Sequence, residues 1–388
     1  MTNYRQFVEF QDLSDEEKPW VTLQYPKSIH TREGIKSVVD TFDITISDQN
    51  MPNNRKINTN DNIHISLGSV TTPSSVDFDG IVSDISLKET IDTRTWKIKG
   101  TNRFEYLFGY QRPTAFTATT AFSAVSGLIA QTNDANIGGN PDWVPIGWDS
   151  NNDVTTKTIN FYRQYKPVHE HIEELSSDDY TGAGQFIYYI DKNNNFIWKA
   201  RPTTSSATLE EGVDFFKDDA KKTKFDIVNA AIIHGGNDFN GAPVFRFVIN
   251  ARSVGKLGFK WKYFQDIKLA EILKAQQGAG PTKTLPFGDE TLYSGGNAQL
   301  RTDLDEAIKS KWKPIIDKLG VPRWKVTIDI RGTTEHVLGD IYTIKSNTLG
   351  WSDGKKLRLV ERSQFFDING WKTSLVFEDD EDTAISDL

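Results

Sequence analysis

A mostly β, α+β fold is expected for this chain, with two similar antiparallel β-barrel domains and inserted, helix-containing α+β segments. Three features indicate it. Short runs of alternating apolar and polar residues lie near both ends, helical spacing is confined to the middle, and Asp-x-x-x-Trp-Lys occurs at 92–97 and again at 367–372. Alternation with a period of two is typical of half-buried strands, whereas apolar spacings of three and four indicate helices.

The first β-barrel is predicted over residues 1–110. Residues 20–23, 43–47 and 63–66 alternate as strands, and the segments between them are rich in Asn, Pro, Ser and Asp. Such residues form turns. Short strands that follow one another with no helix between them are typical of an antiparallel barrel or sandwich.

An inserted α+β domain is predicted over residues 111–223. Apolar residues at helical spacing indicate a helix at about 119–132, and a second, short helix begins after Pro167. Residues 185–200 read as an aromatic hairpin around an Asp/Asn turn. Helices and a hairpin together favour a small mixed domain.

The second β-barrel is predicted to be discontinuous, because good strand alternation returns at 224–250 and again at 324–380. Residues 251–323 are then a helical insertion that packs with the α+β domain. Its last helix, from about 298, contains Pro314, which predicts a kink or break near 311–313. Residues 381–388 form an acidic C-terminal tail, for which a solvated end is the simplest interpretation.

The two end regions share more than the Trp-Lys pattern. Asn60-Asp61 precedes a strand in the first region as Gly339-Asp340 does in the second, and in each a further strand and a hairpin lead to Trp-Lys. Any two hairpins can share Asp turns and strand tryptophans, so chance resemblance stays an alternative. Domain duplication is the favoured interpretation.

Composition excludes several classes of protein. The chain of 388 residues has no cysteine, which rules out disulfides and thiolate metal sites. Its net charge of -8 argues against a surface that coats nucleic acid. No apolar run approaches the ~20 residues of a membrane span, and the acidic N-terminal region differs from a signal peptide. Synthesis and folding in the cytoplasm are expected.

The densest group of possible metal ligands is His169, Glu170 and His171 with Glu173 and Glu174. Zinc-protease chemistry needs two histidines at i and i+4 on one helical face, whereas these two are separated by one residue. A solvated first turn of a helix is the better interpretation.

Other possible catalytic groups are weaker. The stretch at 234–237, His-Gly-Gly-Asn, lacks a nucleophile elbow and is interpreted as a turn that ends a strand. Asp77 with Asp79, and Asp178 with Asp179, are pairs of a kind expected by chance in a chain with 53 acidic residues. No catalytic residue, metal ligand or cofactor site is assigned, and the chain is not expected to be an enzyme.

Aromatic residues raise a second hypothesis, a carbohydrate-binding or host-adhesion module, since sugars stack on exposed aromatic rings. The residues concerned are Trp143, Trp148, Trp198 and the group Trp261, Tyr263 and Phe264. Their positions in strand patterns favour burial in the core instead.

The order of segments resembles the baseplate hub family of tailed phages and related contractile injection machines. DNIHISLGS with DFDGIVSDISLKETIDTRTWKIKGTNRFEYL resembles the first barrel of that family, VHEHIEELSSDDYTGAGQFIYYIDKNNNFIW its helix and hairpin, and HVLGDIYTIKSN with KKLRLVERSQFFDINGWKTSLVFE its closing barrel. Together these segments cover most of the chain, and none is a sharp motif.

The resemblance implies a structural virion protein. Such hubs are homotrimers that join a sixfold tail tube to a threefold central spike or tip and line the channel for DNA, which passes without specific binding. Implied partners are other copies of the chain, the tail tube protein, a separate spike or tail-tip protein, and baseplate or distal tail proteins. The location is the tail tip or baseplate of a virion assembled in the host cytoplasm. A distal tail ring adaptor is a further alternative.

Overall fold

The computed structural model describes the chain from residue 5 to residue 379 apart from several short segments and one longer one. The segments outside the described residues are 12, 14–16, 18, 24–25, 36–38, 48–56, 69–75, 90–93, 110–113, 138–143, 164–165, 217–219, 225–226, 239, 268, 271–272, 274–295 and 321–323. The predicted acidic tail at 381–388 also lies outside them.

Strands dominate both end regions and helices lie in the middle. The strands are β1 (Arg5–Gln11), β2 (Trp20–Thr22), β3 (Pro26–Gly34), β4 (Thr41–Ser47), β5 (Asn62–Gly68), β6 (Phe78–Glu89), β7 (Arg94–Thr101), β8 (Thr114–Thr120), β9 (Gly147–Trp148), β10 (Thr158–Arg163), β11 (Phe186–Ile190), β12 (Asn195–Ala200), β13 (Ser205–Glu210), β14 (Ala220–Lys224), β15 (Ala230–Asn237), β16 (Pro243–Ile249), β17 (Trp261–Gln265), β18 (Trp324–Arg331), β19 (Ile341–Ser346), β20 (Trp351–Asp367) and β21 (Gly370–Asp379). The helices are α1 (Ala121–Ile137), α2 (Val168–Leu175), α3 (Asp178–Thr181), α4 (Ala251–Leu257), α5 (Gly296–Leu319) and a 3-10 helix (Arg103–Phe108). None of the helices in the described part of the chain combines the length and apolarity needed to cross a membrane.

One 13-stranded sheet joins the two end regions of the chain. Its main path is β14-β18-β21-β20-β3-β4-β7-β6-β5-β1-β2, and β19 connects β13 to β20. Alternation in the sequence explains its strands: in β4, Phe42, Ile44 and Ile46 are buried while the residues between them are more accessible. The predicted mostly β, α+β fold with large antiparallel sheets is confirmed. Closure of each half into a barrel stays a prediction.

The same strand order occurs twice within this sheet. The first half runs β1-β5-β6-β7-β4-β3, and the second runs β13-β19-β20-β21-β18-β14. In both halves three consecutive strands form an antiparallel meander, β5-β6-β7 or β19-β20-β21. The pairing at the start of each half differs, since β1 is antiparallel to β5 whereas β13 is parallel to β19.

The turn before each meander repeats at the level of hydrogen bonds. Asn60 has a φ of 76° and Gly339 a φ of 84°, a region that Gly and Asn adopt most readily. The Asn60 N–H donates to the Val82 carbonyl oxygen at 2.7 Å, and the Gly339 N–H donates to that of Leu359 at 2.8 Å. Val82 and Leu359 in turn donate to the carbonyl of the Asp that follows each turn, both at 2.9 Å. These matched contacts support duplication over chance resemblance.

The Trp-Lys patterns also occupy matched positions. Lys97 Nζ lies 3.5 Å from the Asp43 carboxylate on β4, and Lys372 Nζ lies 2.6 Å from the Asp329 carboxylate on β18. Each lysine therefore pairs with an aspartate on the next strand of its own half.

The middle of the chain has an apolar core of its own. Helices α1 and α2 pack with the β11-β12 hairpin around Leu128, Ile172 and Trp198. In α2, Val168, Ile172 and Leu175 are buried on one face, as spacings of four and three residues require.

The C-terminal boundary of this middle domain differs from the one predicted. Strands β13 and β14, placed by the sequence within 111–223 and at its border, pair with β19 and β18 in the large sheet. Strands β15 and β16, assigned to the second barrel as part of 224–250, pair instead with each other and with β17. The sequences of β13 and β14, SSATLE and AKKTK, are polar and show little apolar alternation, so they do not reveal that these strands belong to the large sheet. Strands β15 and β16 do alternate, but their buried residues belong to a different core.

The chain divides into two compact units, residues 1–222 with 326–380, and residues 223–325. In the second unit, α5 packs Leu304, Ile308 and Trp312 against one face of the β15-β16-β17 sheet. The break expected near 311–313 does not occur, because α5 continues through Pro314 and buries Ile316 in the same core. The predicted packing of 251–323 against 111–223 stays a prediction.

Candidate functional site

The histidines of α2 face different surroundings. His169 Nδ1 lies 3.4 Å from the Leu107 carbonyl oxygen, and its ring is 4.1 Å from the ring of Phe108. His171 is only 1% exposed and meets the Phe161 ring edge-on at 5.6 Å. Within the described residues, no group of three or more His, Cys, Asp or Glu side chains is placed to hold a metal ion. The interpretation of a solvated first helical turn is therefore wrong for His171, which is buried, and both histidines of α2 contribute to packing.

The glycines at 235 and 236 permit close packing of a helix. A Cβ atom on Gly235 would lie 2.5 Å from Ile308 Cδ1 of α5, and Gly236 has a φ of 108°. His234 Nε2 lies 3.4 Å from Asn237 Oδ1, and both residues belong to β15. The expectation of a turn here is wrong, because the strand continues through a register irregularity between these two residues.

The carboxylates of Asp77 and Asp79 hold separate parts of the first half together. Asp77 accepts a hydrogen bond from the Leu67 N–H at 2.6 Å, and burial raises its pKa. Asp79 accepts one from the buried guanidinium of Arg103 at 2.7 Å. Each carboxylate thus has a structural partner. The side chains at 178–179 lie outside the described residues.

Two of the tryptophans belong to the core. Trp198 is fully buried, and half-buried Trp148 stacks on Phe196 with the ring centres 5.8 Å apart. The core interpretation is confirmed for both. Trp143 lies outside the described residues.

The outer face of the β15-β16-β17 sheet is aromatic and exposed. Phe245 and Phe247 of β16 and Trp261 and Tyr263 of β17 are between 47% and 60% exposed; we call these four residues the aromatic face. The core interpretation holds for Phe264, which is 6% exposed, but is wrong for Trp261 and Tyr263. Both faces of these strands are apolar in sequence, and α5 covers only one of them.

A pronounced cleft of about 530 Å³ lies beside β13 and β19. One of its two glutamates, Glu211, accepts hydrogen bonds from the hydroxyls of Ser346 and Thr348, both at 2.5 Å, and from the Thr348 N–H at 3.1 Å. These bonds tie Glu211 to the end of β19, which indicates a structural role for that carboxylate.

The two halves of the large sheet meet where β3 pairs antiparallel with β20. Here Arg362 donates to Glu33 at 2.5 Å, and also to the carbonyl oxygens of Thr334 and His336 at 3.0 and 2.9 Å. Burial raises the pKa of Glu33, while the Arg362 charge acts in the opposite direction. A buried ion pair therefore joins the halves directly across the paired strands.

Two strand edges in the large sheet lack a strand partner within the described residues. Strand β6 pairs with β5 only up to Ile81, so residues 84–89 are paired on the β7 side alone. Strand β14 ends the path of the sheet and pairs only with β18. We call residues 84–89 the β6 edge, and the free side of β14 the β14 edge. Exposed edges of this kind are common sites of strand addition by another chain.

No family model and no curated protein matches this sequence. Solved structures do match over nearly the whole chain. The tail protein from Neisseria meningitidis MC58 has a TM-score of 0.58 at 10% identity, with 97% of each chain covered. The 43 kDa tail protein of prophage MuSo2 from Shewanella oneidensis has a TM-score of 0.60 at 11% identity, covering 97% of this chain and 98% of that one. The chain therefore has the fold of these tail proteins, in agreement with the resemblance found in its sequence.

Proposed function

We propose that the chain is a structural virion protein, a homotrimeric hub that joins a sixfold tail tube to a threefold central spike or tip. The observation that carries the proposal is the repeated strand order within one chain, β1-β5-β6-β7-β4-β3 and β13-β19-β20-β21-β18-β14. The shared fold with two tail proteins, one of them from a prophage, supports it.

The repeat gives the proposal its physical basis. Closed cyclic symmetry is the usual arrangement of homo-oligomers. A threefold ring of a chain with two similar halves presents six similar units around its axis, while its true symmetry stays threefold. One side can then match a sixfold tube and the other a threefold spike. The hub acts by shape and assembly, without catalysis or a cofactor.

The ring would line the channel through which DNA leaves the particle. A net charge of -8 supports passage without binding, because like charges repel the phosphate backbone. Its other partners would be the tube protein, the spike or tip protein, and baseplate or distal tail proteins. The finished particle, assembled in the host cytoplasm, would carry the hub at its tail tip.

The aromatic face favours a second candidate, a carbohydrate-binding or adhesion role. Exposed aromatic rings stack on sugars, and patches of this kind mark interaction sites. The same rings also suit a protein partner, since Tyr, Trp and Phe are enriched in protein interfaces.

Solution mass and electron microscopy of the purified chain test the proposal. A hub is expected to give the mass of three chains and annular particles with a central pore. A monomeric mass would overturn the hub, and binding of polysaccharide that is lost in a Trp261→Ser variant would support the adhesion role.

A further inference from the structure

We propose that neighbouring copies in the trimer are joined by antiparallel pairing of the β6 edge of one copy with the β14 edge of the next. This inference rests on the proposed trimer and names the contact that builds it. It is drawn from a pairing already present inside each chain.

The strands β6 and β20 occupy matched places in the two halves. Leu87 pairs with Trp96 as Phe366 pairs with Trp371. Counting back from these matched tryptophans, residues 84–87 of β6 correspond to residues 363–366 of β20. Strand β3 occupies the place beside β4 that β14 occupies beside β18.

Inside the chain, the second half of β20 is covered by a strand. Residues 363–366 pair with β3, from Ser363 opposite Arg32 to Phe366 opposite Ile29. Phe366, the residue matched to Leu87, is accordingly partly buried. The corresponding stretch of β6 has no such cover in the described residues, and Leu87 is 40% exposed. The equivalent of β3 is therefore needed at the β6 edge, and that equivalent is β14.

The β14 of the same chain is at the far end of the sheet path, so the repeat assigns the contact to a second copy. The contact is heterologous, because a β6 edge meets a β14 edge, and contacts of this type generate rings when the rotation closes. In a ring of three copies, the β3–β20 pairing within chains would alternate with the β14–β6 pairing between them. All six sheet junctions would then be of one kind.

The charges of the two strands are compatible with this pairing. The β6 edge carries Asp84, Lys88 and Glu89, the last of which pairs with Arg94 of β7 at 3.0 Å, and β14 carries three lysines in the sequence AKKTK. Repulsion between two lysine-rich β14 strands favours the mixed contact over pairing of β14 edges with each other.

Introduced cysteines test the contact. Because the chain has no cysteine of its own, every disulfide that forms must join introduced residues. Residues directly opposite on antiparallel strands lie about 4.5–5.5 Å apart between Cα atoms, within the range of a disulfide. Ser86→Cys is combined with a cysteine at each position of β14 in turn, and the oxidised proteins are run on a non-reducing gel. At one β14 position we expect covalent dimers and trimers. When Asp84→Cys replaces Ser86→Cys, the reactive β14 position should move toward Lys224, as antiparallel strands require.

The single variants and the pair Ser352→Cys with Lys222→Cys serve as controls and should stay monomeric on the gel. A solution mass of three chains with no cross-link at any position would overturn the strand pairing and leave the hub intact. A monomeric mass would overturn both. Cross-links whose β14 position moves toward Ala220 would also overturn the inference.

A charge variant provides an independent test. Leu87→Lys places another positive charge on the β6 edge, next to which the proposed contact brings a strand with three lysines in its sequence, and is expected to weaken trimer formation at least about tenfold. The matched control is Ile368→Lys at a hairpin tip that is 97% exposed, which should assemble like the parent. Equal assembly of the two variants would contradict the proposed contact.

Discussion

At the scale of residues, two Arg–Glu pairs cross the same strand junction in different surroundings. Arg362–Glu33 is buried, with side chains 10% and 12% exposed, whereas Arg32–Glu361 lies at the surface, with side chains 52% and 21% exposed. Removing one partner of a buried pair leaves an uncompensated charge, while an exposed pair is screened by water.

We therefore expect Arg362→Met to lower the free energy of unfolding by about 3–5 kcal/mol. The matched variant Arg32→Met should lower it by less than about 1 kcal/mol. Urea denaturation of both proteins under the same conditions measures the difference. Equal losses would show that burial does not set the strength of the β3–β20 junction.

Individual residues show which features can be predicted from the sequence and which cannot. Trp96 and Trp371, with the lysines that follow them, do occupy matched positions, because a turn and a strand are specified locally. Arg362 and Gln364 are buried polar residues within β20. Their burial depends on a strand more than 300 positions away in the chain, and no local alternation could reveal it.

At the scale of elements, the β3–β20 junction also carries a titratable ring. His30 stacks on Phe365 directly opposite, with ring centres 4.0 Å apart. Burial lowers the pKa of His30 below its ordinary 6.5, and the Arg32 charge adds to this, while Asp43 and Glu361 act in the opposite direction. The folded protein thus binds this proton less readily than the unfolded chain does.

The sign of the pH effect follows from that difference. Below about pH 6.5 the unfolded chain takes up a proton at His30 before the folded protein does, so this residue removes stability as the pH falls. His30→Phe retains the stacked ring and removes the titration. We expect the variant to gain stability relative to the parent between pH 7 and pH 5, measured by urea denaturation. At pH 8 both side chains are neutral, and any difference there reports packing alone. A constant difference from pH 8 to pH 5 would exclude the proposed role of His30.

Elements with strong periodicity were predictable, and polar edge strands were not. Helices α1 and α2 and the β11-β12 hairpin lie close to the positions expected from apolar spacing. Strands β13 and β14 join the large sheet through backbone hydrogen bonds while their sequences show little apolar alternation. The alternation of β16 is visible in the sequence, yet an exposed Phe247 and a buried Val248 are both apolar. The sequence alone therefore does not show that the aromatic face is exposed to solvent.

At the scale of the whole molecule, the second unit is inserted between two neighbouring strands of the repeat. In the first half, β3 and β4 follow each other with only residues 35–40 between them. In the second half, the matched strands β14 and β18 are neighbours in the sheet but are separated in sequence by residues 225–323. The insertion explains why the second barrel was predicted to be discontinuous, although the strands assigned to it at 224–250 belong to the insertion.

The insertion should therefore be removable. Its apolar core is made of its own residues, among them Ile233, Phe264 and Trp312, and the strands on either side of it are already adjacent. Replacing residues 225–323 with the short segment that joins β3 to β4 is expected to leave a chain that unfolds cooperatively and retains its β-sheet circular dichroism. Because the β6 and β14 edges lie outside the replaced residues, the shortened chain should still form the trimer, while binding that depends on the aromatic face is lost. A shortened chain that fails to fold would mean that the duplicated sheet depends on its insertion, and that the two halves are not equivalent as folding units.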